Sequence, residues 1–314
     1  MTTLKNKRVF VAGHNGMVGS ALVRRLAQEE CTILTADRTE LDLTRQEPVE
    51  QWFKENKPDY VFLAAAKVGG ILANSQYPVD FLADNLAIQS NVIQSAASND
   101  VKKLLFLGSS CIYPKFAKQP IQESELLEGQ LEATNEWYAI AKIAGIKLCQ
   151  AYREQYGLDF ISAMPTNLYG PGDNYHPENS HVLASLIRKF CEAVEHDYDT
   201  VNVWGTGTPL REFLHVEECA DGLVFLMKHY NCHEHVNLGS GDELSIAELA
   251  NLIAELCGYT RGYEFDTARP DGTPRKLLDS SKINKLGWKS QIPLREGIRQ
   301  TINEYRKMRA FELE

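Results

Sequence analysis

The chain has 314 residues, 44% hydrophobic and 24% charged, with a formal net charge of -9. This is the balance of an ordinary globular protein, long enough for one domain of roughly 170 to 200 residues and a smaller one. The acidic balance argues against general nucleic-acid binding, which needs a basic surface to displace counterions, so any phosphate must be met by a local site.

The opening segment reaches only four apolar residues, Val9 to Ala12, too few for a signal peptide or a membrane span, and a cytoplasmic protein without a membrane partner is expected. Residues 8–12 read as a short buried strand. Gly13-His14-Asn15-Gly16-Met17-Val18-Gly19 follows, then an apolar-periodic helix through Ala21, Leu22 and Leu26. Strand, glycine loop and helix form the dinucleotide pattern: glycines let the backbone turn tightly against a pyrophosphate, whose charge is met by amides and the dipole at the helix start. A glycine turn with no ligand is the alternative reading. The second strand, 32–36, ends at Asp37-Arg38, where such folds select their cofactor. An acid there suits a ribose hydroxyl and an arginine a 2′-phosphate, and the chain offers both.

A polar helix at 47–56, a strand at 60–64, a long helix at 78–98 and a strand at 103–108 come next, the last running into Ser109-Ser110-Cys111-Ile112-Tyr113-Pro114. The alternation predicts an α/β fold, a Rossmann-type doubly wound parallel sheet with right-handed crossovers. Ligands sit at the carboxyl ends of strands in such sheets, where Gly13, Asp37, Lys67 and Ser109 fall. A helix carries Trp137-Tyr138-Ala139-Ile140-Ala141-Lys142 and runs to about residue 156, before a strand at 160–164. The stretch 165–172 reads as a breaker-rich loop. Beyond it a helix at 181–193, short strands at 201–203 and 236–238, and helices at 217–229, 246–257 and 294–309 suggest a smaller mixed α/β lobe. The expected division is a cofactor-binding domain at 1–165, with segments around 200–240 returning to it, and a substrate-binding lobe over most of 166–314.

Tyr138 and Lys142 lie four apart, on one helix face. A cation beside a phenol favours the phenolate, so the pair reads as an acid with its pKa lowered toward working pH; a solvated helix face is the bland alternative. Seven cysteines, an odd number with no Cys-x-x-Cys pair, suit reduced thiols better than disulfides or a zinc site, and no metal is expected.

Taken together, Gly13-x-x-Gly16-x-x-Gly19, Ser109 and Tyr138-x-x-x-Lys142 resemble the extended short-chain dehydrogenase/reductase family. Within it, the stretches 64–71, 108–115, 165–171 and 204–213 look like those of GDP-L-fucose synthases, over nearly the whole chain. The resemblance implies conversion of GDP-4-keto-6-deoxy-D-mannose to GDP-L-fucose, by inversion at C3 and C5 and reduction of the C4 ketone with NADPH. A GDP-L-colitose route on the 3,6-dideoxy sugar and a non-catalytic nucleotide-binding protein of the same fold are the competing readings.

It also implies roles. Ser109 and Tyr138 would hold the C4 oxygen, Lys142 the ribose, and Cys111 and His181 would exchange protons at C3 and C5; buried filler and a helix-capping side chain are the bland readings of that last pair. NADP would be met by Gly13, His14, Asn15, Gly16, Met17, Val18, Gly19, Arg38, Asp42, Leu43, Ala64, Ala65, Lys67, Leu107, Gly108, Lys142, Pro165, Thr166, Asn167, Leu168 and His181. Lys189, Trp204, Arg211 and Asp279 would meet the GDP-sugar. Lys189 stands where the family often has arginine, as does Asn15, and Asp37 is an unusual neighbour for Arg38. A homodimer is expected through the long helices at 85–98 and 135–156.

Overall fold

In the computed structural model, which describes residues 2–269 and 271–312, the first half of the chain alternates strand and helix. It contains β1 (Arg8–Ala12), α1 (Met17–Leu26), β2 (Thr32–Leu34), α2 (Gln46–Asn56), β3 (Tyr60–Leu63), α3 (Ile71–Gln76), α4 (Pro78–Ser98), β4 (Lys103–Leu107), α5 (Glu136–Tyr156) and β5 (Phe160–Pro165). The second half runs β6 (Asn167–Tyr169), α6 (Val182–Glu195), β7 (Thr200–Trp204), β8 (Leu210–His215), α7 (Val216–His229), β9 (Val236–Leu238), β10 (Glu243–Ser245), α8 (Ile246–Cys257), β11 (Gly262–Asp266), β12 (Arg275–Lys276), α9 (Ser281–Leu286) and α10 (Leu294–Glu312).

Strands with nearly continuous apolar runs pair into one parallel sheet in the order β2-β1-β3-β4-β5-β9. Successive side chains alternate faces: Val9 and Val11 pack with Leu22, Leu26 and Leu223 toward α1 and α7, while Phe10 and Ala12 pack with Trp52, Ile93 and Ile146 toward α2, α4 and α5. The sheet is therefore doubly wound, as the alternation predicts. Strand order reverses between β1 and β3, the switch point outside which such folds bind ligands. A third core, including Leu183, Phe190, Phe213, Ile253 and Ile302, is built from α6, α8, α10 and the small sheet in which β8 pairs with β6, β10 and β12.

The structure adds short elements that the sequence reading lacks, α3, β10, β11, β12 and α9, and differs from it elsewhere too. β2 stops at Leu34, because the chain turns at Asp37, whose carboxylate accepts hydrogen bonds from Thr39 N at 2.8 Å, Thr39 Oγ1 at 2.6 Å and Glu40 N at 3.0 Å. Part of the expected loop at 165–172 is β6, held parallel to β8 with Asn167 Nδ2 donating to the Glu212 carbonyl at 2.7 Å. β8 itself carried no local signal, since its partners lie far away in sequence.

Candidate active site

At the carboxyl end of β1, Gly13 has φ +89°, and a Cβ there would lie 2.7 Å from the Ala65 backbone, which places Ala64 and Ala65 against the loop. A Cβ on Gly19 would sit 2.0 Å from the Gly13 carbonyl oxygen, so helix and loop close on each other only with glycine at both positions. Gly16 caps α1 without any side-chain cap, leaving the first-turn amides at Met17, Val18 and Gly19 for a ligand. Asn15 is exposed at the turn, and His14 keeps a buried Nδ1 without a hydrogen-bond partner.

Across the switch point, Thr39 and the amides of Glu40 and Thr39 hold the Asp37 carboxyl below its usual range. That carboxylate is thus spent inside its own turn, while Arg38 is exposed and makes no ion pair among the described residues. Two further side chains of the implied cofactor set make contacts within the chain. Asp42 accepts from Thr44 Oγ1 at 2.7 Å, and Lys67 donates to Asp80 at 2.5 Å. Leu43 sends its carbonyl to Asn91 Nδ2 at 3.0 Å and leaves only apolar surface. Further along the strand ends, Gly108 N donates to Ala163 O and Thr166 N to Leu238 O, which ties Leu107, Gly108, Pro165, Thr166, Asn167 and Leu168 to the edge where β4, β5 and β9 finish.

On the other side of β4, Ser109 caps a short 3-10 turn, Ser110–Ile112, its Oγ accepting from Cys111 N at 3.3 Å. Tyr138 has the Ser109 hydroxyl and the Cys111 thiol as polar neighbours, and its ring meets Phe81 edge-on with centroids 6.4 Å apart. Ser109, Cys111 and Tyr138 are therefore brought together. Lys142 is buried behind them; its ammonium donates to Leu107 O at 2.8 Å and lies 5.7 Å from the Tyr138 ring centroid.

One expectation is overturned here. Burial pushes the Tyr138 phenol well above its ordinary range, only the Ser109 hydrogen bond pulls it back, and burial alone pushes Lys142 down to about 7. The lysine, itself short of solvent, does not lower the tyrosine.

The Cys111 sulfur accepts from Asn135 Nδ2 at 3.4 Å and from Lys276 Nζ at 3.8 Å. These two, with Tyr113, Glu132 and Thr273, line a pocket at the thiol. Asn135 and Lys276 were not foreseen from the sequence. Asn135 lies one turn before Tyr138 and could have been suspected, whereas Lys276, 165 residues from Cys111, gives no local signal.

His181 is the exposed residue preceding α6 and makes no side-chain cap. Its loop touches the one that carries Lys67, through Gly70 N donating to Asn179 O at 3.2 Å. Asp173, also unforeseen, faces the imidazole from within the fold. Burial raises its carboxyl pKa, the His181 charge opposes that shift, and its Oδ2 has no hydrogen-bond partner.

Lys189 and Trp204 lie together, the ammonium 5.1 Å from the ring centroid and donating to Asn202 O at 2.8 Å. Arg211, on β8 in register with Lys276, is largely buried; burial lowers its pKa, and the neighbouring Asp271, Cys111 and Glu132 oppose that. Asp279 lies further along the chain, at the start of α9. Its carboxylate accepts from Ser281 N at 2.9 Å and Gln122 Nε2 at 3.4 Å, which occupies it at the start of α9, outside the Cys111 pocket.

Known proteins resemble this chain over nearly its whole length. GDP-L-fucose synthase 1 of Arabidopsis thaliana is 60% identical over 304 residues, spanning 96% of this chain and 94% of that protein. GDP-L-colitose synthase of Yersinia pseudotuberculosis is 35% identical, over 94% of this chain and 96% of its own. Among solved structures, a GDP-L-fucose synthetase from Naegleria fowleri bound to NADP superposes with a TM-score of 0.90 at 29% identity, covering 99% of this chain and 97% of that one. The model of the NAD dependent epimerase/dehydratase family matches residues 9–239. A doubly wound sheet with its glycine loop at the switch point, together with identity sustained over nearly the whole chain, leads to one conclusion: the chain belongs to the NAD dependent epimerase/dehydratase family and, within it, to the GDP-L-fucose synthases.

Proposed function

We infer that this chain converts GDP-4-keto-6-deoxy-D-mannose to GDP-L-fucose, inverting C3 and C5 and then reducing the C4 ketone with NADPH as hydride donor. The observation that carries the reading is the Cys111 thiol beside the Ser109 and Tyr138 hydroxyl pair. A plain ketoreductase needs only the hydroxyl pair; a titratable thiol next to it is what an epimerase adds.

The residues fit the cofactor. The Gly13 to Gly19 cradle, which a Cβ would fill, and the uncapped start of α1 suit a pyrophosphate. Arg38 makes no ion pair among the described residues and suits a 2′-phosphate, whereas Asp37, held in its turn, is a weak competitor for the ribose hydroxyl. Bound NADPH supplies a hydride to C4. Lys142, freed from Leu107 O, is suited to hold the ribose, and Tyr138 to deliver its proton to the C4 oxygen while Ser109 donates to that oxygen.

Because C3 and C5 both flank the carbonyl, the same two hydroxyls that hold the C4 oxygen stabilise negative charge developing there when either proton leaves. Cys111 and His181 are suited to remove a proton on one face and return one on the other; Asn135 and Lys276 orient the sulfur, and Asp173 the imidazole. Lys189, Trp204 and Arg211 suit the GDP portion, an apolar plane with cations for phosphate. Asp279 would have to release Ser281 and Gln122 to take part.

Turnover of the purified chain with GDP-4-keto-6-deoxy-D-mannose and with its 3-deoxy analogue, followed by cofactor absorbance and product NMR, tests the reading. Formation of GDP-L-fucose is expected, at a higher rate than any product from the analogue. A chain that turns over only the 3-deoxy sugar, or neither, overturns it.

We also infer a homodimer through α4 and α5, which expose Val79, Trp137 and Ile140. A monomer mass by light scattering at micromolar concentration would overturn that. No helix among the described residues is long and apolar enough to cross a membrane.

A further inference from the structure

Two of the seven cysteines touch each other outside the Cys111 pocket. Cys191 lies on α6 and Cys257 is the last residue of α8; they are 66 positions apart in the chain, yet their sulfurs are 3.5 Å apart in the third core. Both side chains are buried.

Two thiols packed as small apolar filler are the plain reading of such a contact, but the chemistry of this pair goes beyond packing. Burial alone pushes a thiol's pKa up, and the buried Cys149 and Cys219 follow that rule. Cys191 goes the other way. Its contact with Cys257 lowers it, burial opposes, and the Arg306 charge adds to the lowering. The same contact, followed by burial, raises Cys257. The pair is therefore polarised, with Cys191 the sulfur that takes negative charge and Cys257 the one that keeps its proton.

The backbone also leaves room for a bond. A disulfide needs its sulfurs at about 2.05 Å, so the gap must close by roughly 1.5 Å. Cys257 ends its helix, and Gly258 follows with φ +80° and nothing within 4 Å of where a Cβ would stand. On the far side of the contact, the Cys257 carbonyl accepts from Arg306 Nη2 at 2.8 Å, which keeps α10 against the same helix end. A turn of the Cys257 side chain with a small shift of that end brings the sulfurs together.

We propose that Cys191 and Cys257 form a reversible disulfide when the chain meets a peroxide, a modification that fastens α6 to the end of α8. The Cys191 thiolate attacks one peroxide oxygen, the O–O bond breaks, and the departing hydroxide takes up a proton to become water, leaving a sulfenic acid. Cys257 then attacks that sulfur, the S–O bond breaks, and the hydroxide leaves as a second water with the proton Cys257 gives up. Two thiols lose two electrons and one peroxide becomes two waters. The bridge closes a loop that contains β7 and β8, and cross-linking so long a loop stabilises the fold by restricting the unfolded chain.

The test is oxidation of the full chain by hydrogen peroxide, alkylation of the remaining thiols and mass spectrometry of unreduced peptides. A peptide joining Cys191 to Cys257, two hydrogens lighter than its parts and lost on treatment with dithiothreitol, is expected. The oxidised parent should melt roughly 5 °C above the reduced chain, and Cys257→Ala should show no such rise. The peptide measurement is made on the parent, so it stands whether or not the variant folds. The proposal is overturned by the absence of that peptide after an exposure that fully oxidises the exposed Cys232, by a bridged chain that melts no higher than the reduced one, or by an equal rise in the variant.

Discussion

Replacing Tyr138 with phenylalanine isolates the proton that reduction requires. The ring keeps its edge-on contact with Phe81, 6.4 Å between centroids, and loses only the hydroxyl beside Ser109. One hydrogen bond is worth about 1 kcal/mol net, a shift of roughly 2 °C in melting temperature for a chain of this size. Chemistry should suffer far more. Loss of a positioned acid costs about 10²- to 10⁴-fold, or roughly 2.7 to 5.4 kcal/mol of barrier, because water must then protonate an oxygen in a cleft where burial already disfavours charge. Single-turnover reduction of the 4-keto sugar, with cofactor affinity measured separately by fluorescence, separates chemistry from binding. Reduction within about threefold of the parent, with a normal melt, would refute the assignment of Tyr138 as the acid.

Three further outcomes are expected. Cys111→Ser and His181→Asn in deuterated water should each incorporate much less solvent deuterium at C3 and C5 than the parent, and products with uninverted centres should appear; exchange at parental rates in both would make these residues structural. Arg38→Ala should weaken NADPH binding about 10-fold while leaving NADH nearly unaffected, and an equal loss for both cofactors would show that Arg38 does not meet a 2′-phosphate. Finally, burial holds Lys142 at about 7, against 10.5 for an unperturbed lysine, so between these values the unfolded chain binds the additional proton and ligand-free stability rises with pH. The penalty is complete below pH 7 and gone above 10.5. The melting temperature of the parent relative to Lys142→Met should therefore climb from pH 7 to pH 10, and a flat difference would sink the argument.

The fold class, the glycine loop and the family were already legible in the amino-acid sequence. Apolar runs such as Val9 to Ala12 and Leu104 to Leu107 alternate with helical periodicity, and the requirement for glycine at Gly13 and Gly19 is a local backbone constraint that short spacing records. Helix periodicity likewise put Tyr138 and Lys142 on one face. Tertiary structure decided what spacing cannot encode. The direction of the Tyr138 and Lys142 shifts depends on how much protein surrounds each group, and burial outweighs their mutual attraction. The commitment of Asp37, Asp42, Lys67 and Asp279 to Thr39, Thr44, Asp80 and Ser281 was likewise open until turns and helices had closed around them. Lys276 at Cys111 and Arg269 at Trp204 arise from segments more than 60 residues away in the chain, joined through β12 and the turn after β11. Contacts of that range leave no period in the sequence, because only strand pairing and tertiary packing bring those side chains together.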